Sequence, residues 1–565
     1  MKKHSSLTWK FLNEVTGKGK VKIGILLIIQ VLLGISNVFQ ALFLGNIVNG
    51  AMAGEQKQFF YAVVLFVLLM CIQLGLRALT RFLEEHTRSA LENQFKERLF
   101  STLLVKEYIR ISMMHSGEWM NRLTSDTVVV ANGLTEILPN FVGMAVKLIS
   151  ALVMIVLLEP RFLYLIVPGG IALIVFSYMF RKVLKNLHKN VQEQDGILRM
   201  YMQESLAGML VVRSYGVEQA VTESAVEKMK QHKRMRMKRN HFSNVCNLGF
   251  GIIMRGAYVS GAIFCGYGIL KGTMSYGTFM AVLQLIGQIQ SPFANISGFL
   301  PKFYSMLASC ERLMEAECYK TSSIKNEKSV SEVVTLYREE MQGIVLQKVS
   351  FSYHDATICK GTVEQQVLSN INLTIQKGDC VAIMGSSGCG KSTLLKVLMG
   401  IYEPQKGNVD VAIRSDYISV KCCRRLFAYV PQGNYLMSGT IREVVTFYKR
   451  KTTSGMTIEK ALQLACADFV WELPNGVETI LGEKGAGLSE GQMQRIAIAR
   501  ALYTEAPILI LDEATSALDE MTEKKILEAL KQLTDKTILI ATHRKAALDI
   551  CNKQIIFENG NLIVV

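Results

Sequence analysis

The chain has 565 residues, half of them hydrophobic, and carries a formal net charge of +16. Its mean hydropathy of +0.25 is high for a soluble protein, and the length predicts about three or four domain-sized units of ~150 residues. The positive charge is concentrated in two stretches and does not form a nucleic-acid-binding stripe: residues 181–240 hold 13 Lys/Arg against 6 Asp/Glu, and Met1–Lys22 hold six Lys against one Glu.

In chain order, the first half is a series of long apolar runs. Ile23–Gly54, Gln58–Leu76, Phe162–Phe180 and Gly272–Pro301 contain no charged residue, and Ile137–Leu158 and Cys246–Leu270 carry one each, Lys147 and Arg255. A helix needs about 20 apolar residues to cross ~30 Å of hydrocarbon, so these six runs are candidate spans. The first is too long for a signal-peptide core and is expected to be retained. The short connections 55–57, 159–161 and 271–274 are nearly neutral, whereas the long excursions Arg77–Asn132 and Arg181–Ser243 are charged and free of proline. Lys and Arg accumulate on the cytoplasmic side. The expected topology therefore has both termini and the long excursions inside, the short loops outside, and the basic segments near anionic lipid.

Charges within spans are costly and commonly functional. Lys147 and Arg255 either line a cavity that favours anionic cargo, or pair with backbone or snorkel to the interface. In the last span Gln284, Gln288, Ser291 and Asn295 recur at helical spacing and share one face, expected toward the cavity or a partner helix. Pro292 and Pro168-Gly169-Gly170 are expected to loosen their helices.

The expected division is a transmembrane domain over 1–310, a polar linker over 311–342 and an α/β domain over 343–565, where strands and helices alternate with Gly-rich loops. The twelve cysteines show no metal-ligand or disulfide-framework spacing. Cys389, Cys422, Cys423 and Cys466 fall in the soluble half, which suits a reducing cytosol.

"MGSSGCGKST" fits G-x-x-x-x-G-K-[ST] over Gly385–Ser392, between an apolar strand, "CVAIM", and a helix, "TLLKVLMG". The backbone N–H groups of Gly385, Ser386, Ser387, Gly388, Cys389, Gly390 and onward to Thr393 are placed to wrap phosphates at a helix N-terminus. Lys391 is placed to reach the β/γ-phosphates and Ser392 to hold Mg²⁺. "ILILDEATSALD" ends a buried strand in Asp512, suited to Mg²⁺, and Glu513, suited to polarising an attacking water. His543 ends the apolar strand "ILIATHR" within reach of a γ-phosphate, and Gln432 in "YVPQ" suits Mg²⁺ or a water. Cys389 is either a small filler or a thiol made reactive by the helix N-terminus.

Taken together, Gly385–Thr393, Gln432, "LSEGQ", Asp512–Glu513, Ser516–Asp519 and His543 closely resemble the nucleotide-binding domain of an ABC transporter. Tyr353 in "VSFSY" resembles the aromatic that stacks on adenine in that family, and "LGEKG" (Leu481–Gly485) the loop before the signature in exporters. "SGEWMNRLTSDT" (Ser116–Thr127) and "ESLAGMLVVRSYG" (Glu204–Gly216) resemble the intracellular loops of exporter half-transporters. The resemblance covers nearly the whole chain.

It implies a six-span α-helical membrane domain fused to an α/β P-loop NTPase, with ATP and Mg²⁺ as cofactors. It implies a second half-transporter, identical or related, with which two ATPs are shared head to tail. Ser489, Gly491, Gln492 and Asp519 would then contact the partner's ATP. The family usually has Gly where this chain has Glu490; the side chain is expected to point outward, since an inward carboxylate would repel a γ-phosphate. The implied activity is ATP-driven export of a small molecule, lipid or peptide across the cytoplasmic membrane by alternating access. A lipid flippase, an importer using the exporter fold and an ATP-gated regulator or channel are the rivals. A soluble factor acting on nucleic acid is excluded by the spans.

Overall fold

A computed structural model describes all residues except Met1, Lys18, His115, 323–327, 355–363, Ser387, Ser415, Asn434, 448–455, 483–484, 559–560 and Val565. It divides into two compact units, residues 1–104 with 115–318, and residues 105–114 with 319–565.

The first unit is helical. After the short helix Lys2–Thr16 come long helices over Gly19–Ala53, Gln56–Val105, Ser116–Leu158, Leu163–Ala207, Glu218–Leu270 and Tyr276–Cys318. Four of them are long and apolar enough to cross a membrane among the described residues, and Tyr276–Ile289 is a shorter apolar segment. Fifty residues in Gln56–Val105 at ~1.5 Å each make a helix of roughly 75 Å, more than twice the ~30 Å of hydrocarbon. Most of the proline-free polar excursions are continuations of these helices beyond the apolar segment.

The helix Gly19–Ala53 packs closely on its neighbours because it presents glycines. A Cβ at Gly277 would lie 2.0 Å from the Gly45 carbonyl oxygen, and Asn49 Oδ1 accepts from Gly277 N at 2.8 Å. A Cβ at Gly34 would meet Gly143 O at 3.1 Å.

Within Ser116–Leu158, the "SGEWMNRLTSDT" segment turns its charges inward. Asp126 is buried and accepts from Arg312 Nε (2.7 Å), Arg312 Nη2 (2.6 Å) and Ser309 Oγ (2.9 Å). Buried Arg122 pairs with Glu118 at 3.0 Å and Glu315 at 2.8 Å, and lies 4.7 Å over the Trp119 ring. Two π-helical turns, Arg122–Asp126 and Gly133–Ile137, interrupt the α-helix here. Asp126 and Arg122 are buried and each is paired, while their partners Arg312, Glu118 and Glu315 stay about half exposed.

In the second unit the strands are β1 (Met341–His354), β2 (Glu364–Gln376), β3 (Cys380–Gly385), β4 (Lys406–Ile413), β5 (Tyr417–Ser419), β6 (Phe427–Val430), β7 (Gly439–Thr440), β8 (Ile480–Leu481), β9 (Ile508–Asp512), β10 (Thr537–Ala541), β11 (Lys553–Glu558) and β12 (Asn561–Val564). They form a four-stranded sheet, β2-β1-β4-β5, a six-stranded sheet, β12-β11-β3-β10-β9-β6, and the small pair β7-β8. In the larger sheet β6, β9, β10, β3 and β11 run parallel. Its central strands read as continuous apolar runs because both faces are covered, and every residue of β9 and β10 is buried. One core lies between the two sheets and includes Leu346, Phe351, Ile383 and Leu394. The other, which includes Ile496, Ile498, Leu509 and Ile526, lies under the helices on the opposite face.

Residues 105–114 belong to this unit. Ser322 N donates to Val105 O at 2.8 Å and Glu107 N to Lys320 O at 3.1 Å, and the short helix Tyr108–Ser112 follows.

Candidate nucleotide site

Parallel strands bring their carboxyl ends to one edge of a sheet, where α/β proteins bind ligands. The register Ala541↔Ile383, Ala541↔Asp512 and Val430↔Leu511 puts the ends of β3, β10, β9 and β6 side by side. The residues that follow these strands are therefore neighbours: the loop from Gly385, His543, Asp512–Glu513 and Gln432.

The loop turns where only glycine fits. Gly385 (φ +153°), Gly388 (φ +79°) and Gly390 (φ +114°) all lie outside the range L side chains favour, and a Cβ at Gly385 would lie 2.5 Å from the Phe557 carbonyl oxygen. Gly390 caps the helix Lys391–Leu398. Lys391 is buried, and its ammonium donates to the carbonyls of Gly385 (2.8 Å) and Ser386 (3.0 Å). That fold-back holds the charge at the mouth of the loop. Ser392 is half-buried and Thr393 buried, with Thr393 Oγ1 3.0 Å from the Tyr353 hydroxyl. The Cys389 sulfur packs 2.8 Å from where a Gly385 Cβ would stand. Ser387 lies outside the described residues.

Asp512, 2% exposed, accepts from the Tyr429 hydroxyl at 3.0 Å. Burial and the adjacent Asp512 carboxylate push the Tyr429 hydroxyl well above the ordinary phenol range, so it stays a donor. Glu513 is held at φ +51°, its N–H donating to Ala541 O at 2.9 Å. Such a backbone costs ~1–3 kcal/mol and persists where the surroundings fix it. Gln432 Nε2 donates to Glu513 Oε2 at 2.7 Å, and His543 Nδ1 stands 3.8 Å from Glu513 Oε1. Glu513, Gln432 and His543 are thus one cluster.

Tyr353 sits in an aromatic group. Its ring meets Phe351 edge-on at 5.2 Å and Tyr402 edge-on at 6.1 Å. Tyr402 stacks on Phe351 at 5.3 Å and on Tyr108 at 6.2 Å. An aromatic path therefore runs from the short helix Tyr108–Ser112 to the ring beside the phosphate loop.

Ser489 caps the helix Glu490–Tyr503 in a reciprocal box with Gln492. Glu490 occupies the first helical position with its side chain in solvent, where a carboxylate suits the helix dipole. Gly491 lets the helix approach Ala517, since a Cβ there would meet Ala517 O at 3.0 Å. Asp519 caps Glu520–Lys531 by accepting from Thr522 N at 2.9 Å, and that bond holds its carboxyl below the usual range. Ser489 and Asp519 are exposed.

Two protein families match the sequence. The ABC transporter transmembrane region family matches residues 23–293, and the ABC transporter family matches residues 368–516. The chain belongs to the ABC transporters, as an exporter-type half-transporter.

This half-transporter is similar to the ATP-dependent lipid A-core flippase of Aliivibrio fischeri, with 27% identity over 96% of this chain and 92% of the flippase. It is similar to the transport/processing ATP-binding protein ComA of Streptococcus pneumoniae, with 29% identity over 79% of this chain and 61% of ComA. Its fold is that of a bacterial Atm1-family ABC exporter solved with ATP bound, at a TM-score of 0.78 and 21% identity over 97% of this chain and 95% of the other.

Several residues of the half-transporter's site were not singled out in the sequence. Tyr429, two residues before the "PQ" that carries Gln432, is the donor to Asp512. Gln494 ties the signature helix to the loop after Glu513, donating to Ser516 Oγ (3.0 Å) and accepting from Ala517 N (3.1 Å). Arg544, next to His543, donates to Ser516 O (2.6 Å), Leu518 O (3.0 Å) and buried Glu523 (2.8 Å). Adjacency to a motif was the only sequence signal for Tyr429 and Arg544.

The candidate cargo residues are spread over three helices. Lys147 is half-buried in the helix Ser116–Leu158, and Arg255 is exposed in Glu218–Leu270. Gln284 and Gln288 are half-buried on one helix; Gln288 Nε2 donates to Asn37 O at 2.7 Å, and the amide oxygens of both have no partner among the described residues. The side chains of Ser291 and Asn295 lie outside the described residues.

Proposed function

We propose that two of these half-transporters, identical or closely related, export a small molecule, lipid or peptide across the cytoplasmic membrane by alternating access. ATP-driven export is the activity of the family. Both termini and the ATPase half lie in the cytoplasm, following the placement of Lys and Arg in Met1–Lys22 and residues 181–240. Residues 1–310 form the membrane half, 311–342 the linker and 343–565 the ATPase half, except that the helix Tyr276–Cys318 runs into the linker range and residues 105–114 pack with the ATPase half.

The observation that carries the proposal is the convergence of the phosphate loop, Asp512, Glu513, Gln432 and His543 at one sheet edge. Tyr353 stacks on adenine. The loop N–H groups of Gly385–Thr393 hold the phosphates, and Lys391 leaves its carbonyl partners for the β/γ-phosphates. Ser392, Gln432 and Asp512 offer a hydroxyl, an amide and a carboxylate, an all-oxygen set that suits Mg²⁺. When bound, the ion neutralises charge on the phosphates. Glu513 accepts the proton of the attacking water, oriented by Gln432, and His543 contacts the γ-phosphate.

Each site is completed in trans by Ser489, Gly491, Gln492 and Asp519 of a second chain. The exposure of Ser489 and Asp519 supports this. So does the exposed apolar surface on the helix Met209–Ser214 and just after it, where Leu210 is 82% and Tyr215 79% exposed. A surface of that kind marks an interface. ATP drives closure because it binds the closed state better than the open one. A lipid cargo is favoured by the flippase whose sequence aligns with 96% of this chain; ATP-dependent translocation of labelled lipid in vesicles tests it.

The head-to-tail pairing is tested by Ser489→Cys in a Glu513→Gln background. Under a mild oxidant with ATP, native Cys389 of one chain and the introduced cysteine of the other should cross-link into a dimer. Absence of that dimer in a chain that still binds ATP would contradict the shared site.

A further inference from the structure

Cys380 opens β3, and Cys551 lies just ahead of β11. Their sulfurs stand 3.3 Å apart, and both residues are partly exposed. They stand at the entry of the adjacent parallel strands β3 and β11, where Asn552 fixes the approach. Asn552 N donates to Cys380 O at 3.0 Å, Asn552 Oδ1 accepts from Cys380 N at 2.9 Å, and Asn552 Nδ2 donates to Asp379 Oδ1 at 3.3 Å. A disulfide needs the sulfurs at ~2.05 Å, which side-chain rotation supplies when the backbone already holds the pair together. None of the ATP-site residues takes part. Gly385 is at the far end of β3, five steps of ~3.3 Å away, roughly 17 Å.

We propose that Cys380 and Cys551 form a redox-active dithiol that a small-molecule disulfide converts to a cystine, stapling β3 to β11 in the nucleotide-binding unit. Cys380 attacks first: the hydrogen bond from Cys551 holds its thiol below the ordinary range against the opposing effect of burial, and the same bond with burial holds Cys551 above it. The Cys380 thiolate attacks one sulfur of the small disulfide, forming a mixed disulfide and releasing one thiolate. Cys551 then attacks the Cys380 sulfur and releases the second. The two protein thiols are oxidised and lose their protons; the small disulfide is reduced and takes them as two thiols.

In a reducing compartment the pair rests as thiols, and the staple forms when the small-disulfide pool rises. The link joins residues 171 positions apart and encloses the phosphate loop, the signature helix, Asp512 and His543. A loop of that length restricts the unfolded chain strongly, so melting of the unit should rise by roughly 5–10 °C.

The test uses the full chain, purified under reductant and then incubated with oxidised glutathione. Differential alkylation and peptide mapping should find a Cys380–Cys551 linked peptide, and the thermal transition should rise and return on dithiothreitol. ATPase below both transitions should persist. Cys551→Ser, with Cys551→Ala as a second variant, should lose both the link and the shift. Glutathione retained on a single cysteine without a link, a link between other cysteines only, or a link with no change in melting would overturn the proposal. The wild-type peptide map decides the first two without relying on a variant.

Discussion

Glu523→Ala should weaken the ATPase half through the loop between Glu513 and Asp519, which Glu523 holds at Thr515 directly and through Arg544. Glu523 is 2% exposed and accepts from the Thr515 hydroxyl at 2.7 Å and from Arg544 Nη1 at 2.8 Å. Breaking a buried ion pair by removing one partner costs about 3–5 kcal/mol when the other is left dry. Arg544 is 29% exposed and keeps its bonds to Ser516 O and Leu518 O, so water offsets part of that loss. The Thr515 hydroxyl, 2% exposed, is left without its acceptor. A net cost of ~2–3 kcal/mol follows. At ~2–4 °C per kcal/mol for a unit of this size, the transition should fall by roughly 5–10 °C. Differential scanning fluorimetry of the detergent-solubilised chain reads it, with Glu523→Gln, which keeps an acceptor for Thr515, falling between. Because Arg544 positions the loop leading to Asp519, ATPase should fall even where the variant is folded. A transition within ~1 °C of the parent would refute the buttress, and full ATPase with a lowered transition would refute its effect on the loop.

Gly277→Ala places a methyl 2.0 Å from Gly45 O and should cost ~1–3 kcal/mol or more as the two helices part; Gly75→Ala, with nothing within 4 Å, is the control in the same melting assay. Cys423 is fully buried, which pushes its thiol up to about 11, while neighbouring Cys422 is half-buried. Its thiolate is scarce near neutral pH and grows only as pH climbs toward that value, so maleimide should modify Cys422 well ahead of Cys423 in the native chain; equal modification by peptide mapping would contradict the burial. Glu490→Gly removes a solvent-exposed carboxylate, so ATPase should change by less than about threefold, under ~1 kcal/mol of barrier. A tenfold rise would instead place that carboxylate against a partner's phosphate.

The parts of the site carried by contiguous sequence were legible. The strand before Gly385, the helix after it and the buried strand ending at Asp512 announce themselves by local pattern, because glycine punctuation and apolar runs act over a few residues. What was not legible depends on pairing between distant segments. Nothing local links Arg544 to Ser516, Gln494 to Ala517 or Cys380 to Cys551, since sheet order decides which strand ends are neighbours. The membrane half shows the same limit: nothing local links Asp126 to Arg312, and only helix packing buries Asp126 against the Arg312 guanidinium. Apolar length revealed spans, and the charged, proline-free excursion Arg77–Asn132 indicated that helix continues past the apolar portion, as Gln56–Val105 does.

The central claim is that this chain hydrolyses ATP at the cluster around Glu513 when paired with a second copy. Basal ATPase of the chain expressed alone and reconstituted in lipid, with Glu513→Gln beside it, tests that most directly. Activity that falls by ~10²-fold or more in Glu513→Gln is the predicted result, consistent with loss of a general base. Activity unchanged in Glu513→Gln would contradict the assigned chemistry, and a folded, ATP-binding chain with no activity would contradict self-pairing and require a different second chain.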